Sequence, residues 1–369
     1  MKFNIAKSDL LDAINVVLKG MSSRSTLPIL AGILVEAEEG KLVLQTTDLE
    51  ISIRHAVDAD VVEPGKTVLT GKLLADIVKT LPDAAVSVST QGDQTNIACL
   101  DASFTLSSLS AADFPYFPQV DVSTTVELSP ALLESAVRKV ARAAGRDESR
   151  AILTGVLFSI EDEKIRLVAT DSYRLAVADI PYAHGEEVES FQAIVPAKTL
   201  EDVSRLASGA DTLVIGFSDN QVLFQFGSTT FVSRKIEGTY PNYKQLIPSE
   251  HALSATMPVD ALTAALKRVS LLAAKRTQHT PVRFAFSAAD QRVSMSARTQ
   301  DVGTAQEAVE ASIDGPDMEI AFNHQYLLDG LNVIDGDVVF ELQSSLKPCI
   351  LKAADDANFL YLAMPVRLS

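Results

Sequence analysis

One amphipathic helix pattern occurs three times in this chain at domain-sized spacing, and that repetition restricts the fold more than any other feature. Apolar residues fall at Leu10, Ala13, Ile14 and Val17, again at Leu133, Ala136, Val137 and Val140, and again at Leu262, Ala265, Leu266 and Val269. Positions i, i+3, i+4 and i+7 share one face of an α-helix, so each set predicts a helix docked on a core. The leading leucines lie 123 and 129 residues apart, which divides the 369 residues into three near-equal parts.

The rest of each part agrees. An alternating segment follows each stripe, at Leu42–Asp48, Ile165–Asp171 and Val293–Gln300, and reads as a strand ending at a polar corner. A second short helical pattern comes next, at Leu74/Ile77, Leu200/Val203 and Leu328/Leu331. Turn residues close each one (Leu81-Pro82-Asp83, Ser208-Gly209-Ala210, Asp335-Gly336-Asp337) before more strand-rich sequence. The predicted unit is α+β, with helices on one face of an antiparallel sheet. Its period is far above that of solenoid repeats, so these are repeated domains. Proline-rich stretches at 115–121 and 241–250 place the domains at 1–121, 122–249 and 250–369.

Composition narrows the function classes. No apolar run is long enough to span a bilayer, and the start, Met1 to Lys7, lacks a signal-peptide core. Two cysteines, Cys99 and Cys349, without a CxxC give neither a disulfide framework nor a zinc site, which fits a reducing cytoplasm. The five histidines fall at non-equivalent places without metal-ligand spacing. Nucleotide-loop and hydrolase motifs are missing as well, so the reading is a non-enzyme without metal or cofactor. Thr47-Asp48 and Thr170-Asp171 could suggest acid–base chemistry, yet such pairs at strand ends are mostly turn devices whose side chains bond local amides.

The net charge of −16 argues against nucleic acid at first sight, but it is unevenly spread. The six helical segments (7–20, 70–80, 129–146, 197–207, 259–276, 322–334) together carry +6, leaving −22 for the remainder. A localised positive surface on an acidic protein is a footprint of polyanion binding. On a helical wheel Arg138, Lys139, Arg142 and Arg146 stand opposite the core stripe, and Lys267, Arg268, Lys275 and Arg276 give the third repeat the same excess. Leu271, followed by Leu272, also faces away from its core, where a subunit interface would use it. Its complement would be the apolar segment Phe104, Leu106 and Leu109 of the first repeat, which has no repeat before it. Joining those free ends between chains is a heterologous contact that can close a ring. Six helices about 9 Å apart would leave roughly 7 Å open, whereas twelve from two chains would leave roughly 24 Å, enough for a duplex.

The chain resembles the bacterial DNA polymerase III beta subunit family, the sliding clamps, over essentially its whole length. The residues that carry the resemblance are Ser25-Thr26-Leu27-Pro28-Ile29-Leu30, Thr170-Asp171-Ser172-Tyr173-Arg174-Leu175-Ala176, Tyr240-Pro241-Asn242-Tyr243 and Met364-Pro365-Val366-Arg367-Leu368. The resemblance implies three repeated domains of the DNA-clamp type, with antiparallel sheets outside and two helices per domain lining a pore. It implies a ring-shaped head-to-tail homodimer that encircles duplex DNA as a processivity factor. It also implies a pocket between the second and third domains that takes short linear motifs of polymerase subunits, the clamp loader and repair proteins.

Carried over by residue, that pocket comprises Leu153, Thr170, Ser172, Tyr173, Arg174, Leu175, Pro241, Gln245, Leu246, Tyr326, Leu362, Met364, Pro365, Val366 and Arg367. Leu, Pro, Met and Val suit an apolar cleft, and Arg174 and Arg367 are expected to hold carbonyls or acidic groups at its rim. Tyr173 and Gln245 depart from a basic or imidazole side chain carried by some members, which bears on partner preference. The DNA set is Arg24, Arg138, Lys139, Arg142, Arg146, Arg150, Lys198, Arg205, Lys267, Arg268 and Lys275. A monomeric peptide-binding scaffold is the rival, and it would have no use for exposed Leu271 and Leu272.

Overall fold

A computed structural model describes residues 1–22, 27–161, 163–182, 191–273, 281–299 and 302–367. The first repeat contains β1 (Lys2–Ala6), α1 (Lys7–Val17), β2 (Gly32–Glu38), β3 (Lys41–Thr47), β4 (Ile51–Asp58), β5 (Asp60–Glu63), β6 (Gly65–Thr70), α2 (Gly71–Thr80), β7 (Ala85–Gln91), β8 (Gln94–Cys99) and β9 (Ala102–Ser107). The second contains β10 (Thr124–Leu128), α3 (Pro130–Val140), β11 (Gly155–Glu161), β12 (Lys164–Thr170), β13 (Arg174–Pro181), β14 (Phe191–Pro196), α4 (Ala197–Leu206), β15 (Leu213–Phe217), β16 (Gln221–Phe226) and β17 (Thr229–Arg234). The third contains β18 (Leu253–Pro258), α5 (Val259–Ala273), β19 (Val282–Ser287), β20 (Arg292–Thr299), β21 (Gly303–Glu310), β22 (Ser312–Asp314), β23 (Met318–Phe322), α6 (His324–Leu331), β24 (Asp337–Leu342), β25 (Cys349–Ala353) and β26 (Asp356–Ala363). Among the described residues each repeat carries two α-helices, at the positions that the apolar stripes predict.

The described residues form two compact units, Met1–Ala131 with Asp202–Lys235, and Leu132–Glu201 with Ile236–Ser369. The middle repeat is shared between them because its strands continue the sheets of both neighbours. In the first unit β10, β15, β16 and β17 extend β4, β3, β2 and β6 into an eight-stranded sheet through the β17–β4 pair. A second sheet there runs β5-β1-β7-β8-β9 and leaves β9 at its edge. In the second unit β14, β11, β12 and β13 join β26, β25, β24, β18 and β22 through the β13–β26 pair, making nine strands. A four-stranded sheet, β21-β20-β19-β23, completes that unit with β21 at one edge.

The helix stripes bury as the sequence predicts. Leu10, Ala13, Ile14 and Val17 of α1 are buried, and α1 packs on β3, β4 and α2. Truncating a fully buried side chain such as Ile14 to alanine costs about 2–5 kcal/mol through lost burial and the cavity left. In the second unit α5 buries Leu262, Ala265, Leu266 and Val269 against β20 and β21. α6 starts at an Asn323 cap, whose side chain accepts from the Gln325 amide at 2.9 Å and satisfies a free helix donor. Gly330 lets α6 lie against Tyr361, since a Cβ there would sit 2.7 Å from the ring.

One helix is shorter than expected. The apolar stripe suggests helix over 129–146, but α3 ends at Val140, residues 141–143 form a 3-10 turn, and Ala144 is extended. The wheel therefore does not apply to Arg142 and Arg146, and their directions are set by the turn.

Candidate functional site

The corner between β12 and β13 is built by its own side chains. The Thr170 hydroxyl donates to the Arg174 carbonyl at 2.6 Å and accepts from the Ser172 amide at 3.2 Å. One Asp171 carboxylate oxygen accepts from the amides of Tyr173 and Arg174 at 2.9 and 3.0 Å. Ser172 takes a left-handed φ of 82°, which lets the strand reverse so tightly. Thr and Asp are thus spent on turn geometry, and Tyr173 is thrown out to solvent at 58% exposure.

Behind the corner lies an apolar floor. Leu175 and Leu362 pair across β13 and β26 and belong to a buried cluster with Leu157, Val168, Val177, Ile194 and Tyr243. Ile152, Ile236, Tyr240, Ile247 and Leu360 pack against that cluster. The Tyr240 hydroxyl donates to the Val168 carbonyl at 3.3 Å, which fixes the Tyr240–Tyr243 linker to the sheet. On the rim Leu246, Met364 and Val366 are exposed together with Pro241 and Gln245, while Leu153 and Pro365 are half-buried. The Met364 amide donates to the Tyr173 carbonyl at 2.8 Å, and the Val366 amide donates to Ala321 of β23 at 2.8 Å. The chain end is thereby held across the corner. Val366 and Arg367 line a separate cavity of 960 Å³ with Ile320 and Leu346.

Arg174 corrects an expectation. It is a buried residue whose guanidinium pairs with Asp171 at 3.0 Å and with Asp329, and it lies 4.7 Å from the Tyr326 ring centre. Burial works against its charge, yet Tyr361, Asp329 and Asp171 outweigh that cost and push its pKa up. Its charge is already paired with Asp171 and Asp329 where the residue lines the neighbouring cleft. Tyr173 and Tyr326 stack at 6.3 Å between ring centres and 19° between planes. Burial and then Asp171 raise the Tyr326 phenol. Sequence reading missed Asp329, which ties Arg174 and also meets Arg142 at 3.6 Å. Nothing local marks it, since the pair spans 155 residues. Val177, Tyr243 and Leu360 were missed too, although the alternation of Leu175 and Val177 along β13 carries that signal.

Beside the floor is a polar cleft of 630 Å³ whose lining includes Arg142, Arg146, Arg150, Asp171, Tyr173, Arg174, Tyr326 and Asp329. Arg150 sits at this cleft, donating to the Ser172 hydroxyl at 3.2 Å and pairing with Asp147 at 3.4 Å. Among the other cations, Arg138, Arg146, Lys198 and Lys267 are exposed. Arg205 is exposed and pairs with Asp202 at 3.7 Å, and Arg268 is bidentate to Glu307. Lys139 departs from the wheel: its side chain is 17% exposed, bonded to Asp356 at 2.5 Å and 5.7 Å from the Phe359 ring centre. The predicted positions Arg24, Lys275 and Arg276 lie outside the described residues. Leu271 is 65% exposed and Leu272 half-buried, while Phe104 and Leu106 lie on edge strand β9.

Three repeats, each with two helices and antiparallel sheets that run on into their neighbours, define the three-domain clamp class of protein. Models of the DNA polymerase III beta subunit match its N-terminal domain at residues 1–118, its central domain at 127–242 and its C-terminal domain at 244–367. The chain is 36% identical to the beta sliding clamp of Streptomyces coelicolor and 34% identical to that of Staphylococcus epidermidis, covering 100% of itself and 100% and 99% of them. The crystal structure of the DNA polymerase sliding clamp from Bacillus subtilis superposes with a TM-score of 0.95 at 30% identity, with both chains fully covered. That of the Thermotoga maritima beta subunit gives 0.92 at 28%, again over 100% of each chain. The chain belongs to the DNA polymerase III beta subunit family. It is a DNA sliding clamp, a processivity factor of replication. Among the described residues no helix is long and apolar enough to cross a membrane.

Proposed function

We propose that two chains close head to tail into a ring around duplex DNA and that the corner at Thr170–Leu175 receives short peptides of partner proteins. The ring reading is supported by two sheet edges, β9, which carries Phe104 and Leu106, and β21, on which α5 with Leu271 and Leu272 packs. An edge strand leaves backbone donors and acceptors open to another chain. The domains of this reading are 1–121, 122–249 and 250–369. DNA is held without sequence preference by Arg138, Arg146, Lys198 and Lys267, joined by Arg24 and Lys275, with smaller shares from the paired Arg142, Arg150, Arg205 and Arg268. The chain works without catalysis, in the cytoplasm, as a tether for polymerase subunits, the clamp loader and repair proteins.

The observation that carries the peptide reading is the Leu175–Leu362–Tyr243 floor beneath a rim of exposed Tyr173, Leu246, Met364 and Val366. Leu175 and Leu362 are 0% and 1% exposed, so a ligand reaches them by displacing rim side chains. Met364, unbranched and with three rotatable bonds, is suited to moving aside. Burying two large apolar ligand side chains contributes roughly 3–6 kcal/mol, offset by ordering the peptide, so micromolar affinity is expected. Peptides with a glutamine and a downstream Leu or Phe are the ligands that the family resemblance implies. Fluorescence anisotropy of such a peptide tests the site with Met364→Ala. Affinity should fall while dimerisation persists, and unchanged affinity in a folded dimer places the site elsewhere.

A further inference from the structure

The corner between β3 and β4 in the first unit duplicates the corner between β12 and β13 bond for bond. The Thr47 hydroxyl donates to the Ile51 carbonyl at 2.9 Å and accepts from the Leu49 amide at 3.0 Å, as Thr170 does with Arg174 and Ser172. Asp48 accepts from the amides of Glu50 and Ile51 at 3.0 and 2.7 Å, as Asp171 does from Tyr173 and Arg174. Leu49 holds φ 76° where Ser172 holds 82°. Even the crossing strand is repeated, because the Arg234 amide donates to the Glu50 carbonyl at 3.0 Å as that of Met364 does to Tyr173. Strand register then fixes which residues are equivalent. Gln45 faces Arg54 as Val168 faces Val177, and Ser52 faces Val232 as Leu175 faces Leu362.

With the backbone repeated, the floor chemistry is what differs. Where the second corner has Val168, Leu175, Val177 and, on the crossing strand, Leu360, the first has Gln45, Ser52, Arg54 and Thr230. Those polar groups are already engaged. Arg54 donates to the Gln45 side chain at 3.2 Å and lies 4.3 Å from the Phe117 ring centre. The Gln45 amide nitrogen in turn donates to the Pro115 carbonyl at 3.3 Å, which pins the 115–117 linker to the sheet. The Ser52 hydroxyl is hydrogen-bonded with that of Thr47 at 2.8 Å.

We propose that the first-repeat corner is a second copy of the peptide site, closed by a Gln45–Arg54–Phe117 plug, and that Gln45, Ser52 and Arg54 set the peptide stoichiometry of the chain at one. A peptide leucine or phenylalanine entering there would meet polar groups; Arg54 is exposed, but Gln45 and Ser52 are buried, and displacing their partners would leave donors and acceptors unpaired out of solvent. At the second corner the same entry meets carbon. The proposal rests on the reading of the second corner as the peptide site.

The test is a stoichiometry measurement on the full chain with a short peptide carrying a glutamine followed by leucine and phenylalanine. The sequence has no tryptophan, so Tyr116→Trp, at a position 99% exposed, reports on the first corner alone. Wild type should bind one peptide per chain by calorimetry with no change in the introduced indole's emission. Gln45→Val/Ser52→Leu/Arg54→Val should bind two, with an emission shift and a second affinity within about tenfold of the first. A folded triple variant that still binds one, with silent emission, overturns the proposal. So does a wild type that binds two. Gln45→Leu/Arg54→Met keeps side-chain volume and decides the matter in the same way where the triple variant does not fold. A wild type that binds none overturns the reading of the second corner, and the plug is then judged by whether the variants gain a site.

Discussion

Arg174 and Asp329 form an ion pair almost out of solvent, with side chains 9% and 12% exposed, although 155 residues separate them. The pair joins the corner after β12 to helix α6. Removing one partner of such a pair leaves an uncompensated buried charge, which is more damaging than never having had the pair. Asp329→Ala should destabilise the second unit by about 3 kcal/mol in chemical denaturation, at the lower end because Asp171 still contacts the guanidinium. Peptide affinity should fall with it, since Tyr326 stacks on Tyr173 from the same helix.

Two basic neighbours on α3 should behave differently. Lys139→Met breaks the bond to Asp356 and should cost about 1 kcal/mol of stability with little effect on DNA binding. Arg138→Ala should leave stability unchanged and lower the slope of log affinity against log salt by about 1, as expected for one lost phosphate contact. Denaturation and a salt titration of DNA binding separate the two.

Much of the fold is legible in the sequence because it is local. The stripe at Leu10, Ala13, Ile14 and Val17 and its two copies place three helices, and the Thr170-Asp171 pair is legible as a turn device. What escapes is long-range. Lys139 is drawn to Asp356, 217 residues away, and no wheel can register that. The end of α3 at Val140 is hidden by an alanine-rich run, Ala141 to Ala144, that reads as helix but forms a 3-10 turn ending in an extended residue. Arg174 looks like a free cation until Asp329 is placed beside it.

Acid should loosen the second unit through Asp179. Burial opposes its ionisation, but hydrogen bonds from Arg166 and Lys164 outweigh that and hold its pKa below the ordinary carboxylate value. A carboxylate depressed in the folded state contributes stability that is complete above its unfolded pKa, about 3.9. That contribution is lost as pH falls through the lower folded value. Denaturation midpoints should therefore drop below about pH 4, and Arg166→Met should flatten the drop. An identical pH profile in the variant would contradict this assignment.

The dimer contact should depend on a few apolar anchors. Leu271→Ala/Leu272→Ala removes the exposed apolar group on α5 without touching its buried stripe. Sedimentation should show folded monomers for the variant and dimers for wild type, because truncation costs at interfaces concentrate in few residues. A wild type already monomeric at micromolar concentration would contradict the ring.

The most direct measurement compares retention on circular and linear duplex DNA of the same sequence after loading. A ring held by topology leaves by sliding off an end, whereas phosphate contacts are lost equally from both forms as salt rises. The ring account predicts that the protein stays on the closed circle at a salt concentration that strips it from the linear form, and that cutting the circle releases it. Equal loss from circle and linear DNA would contradict it.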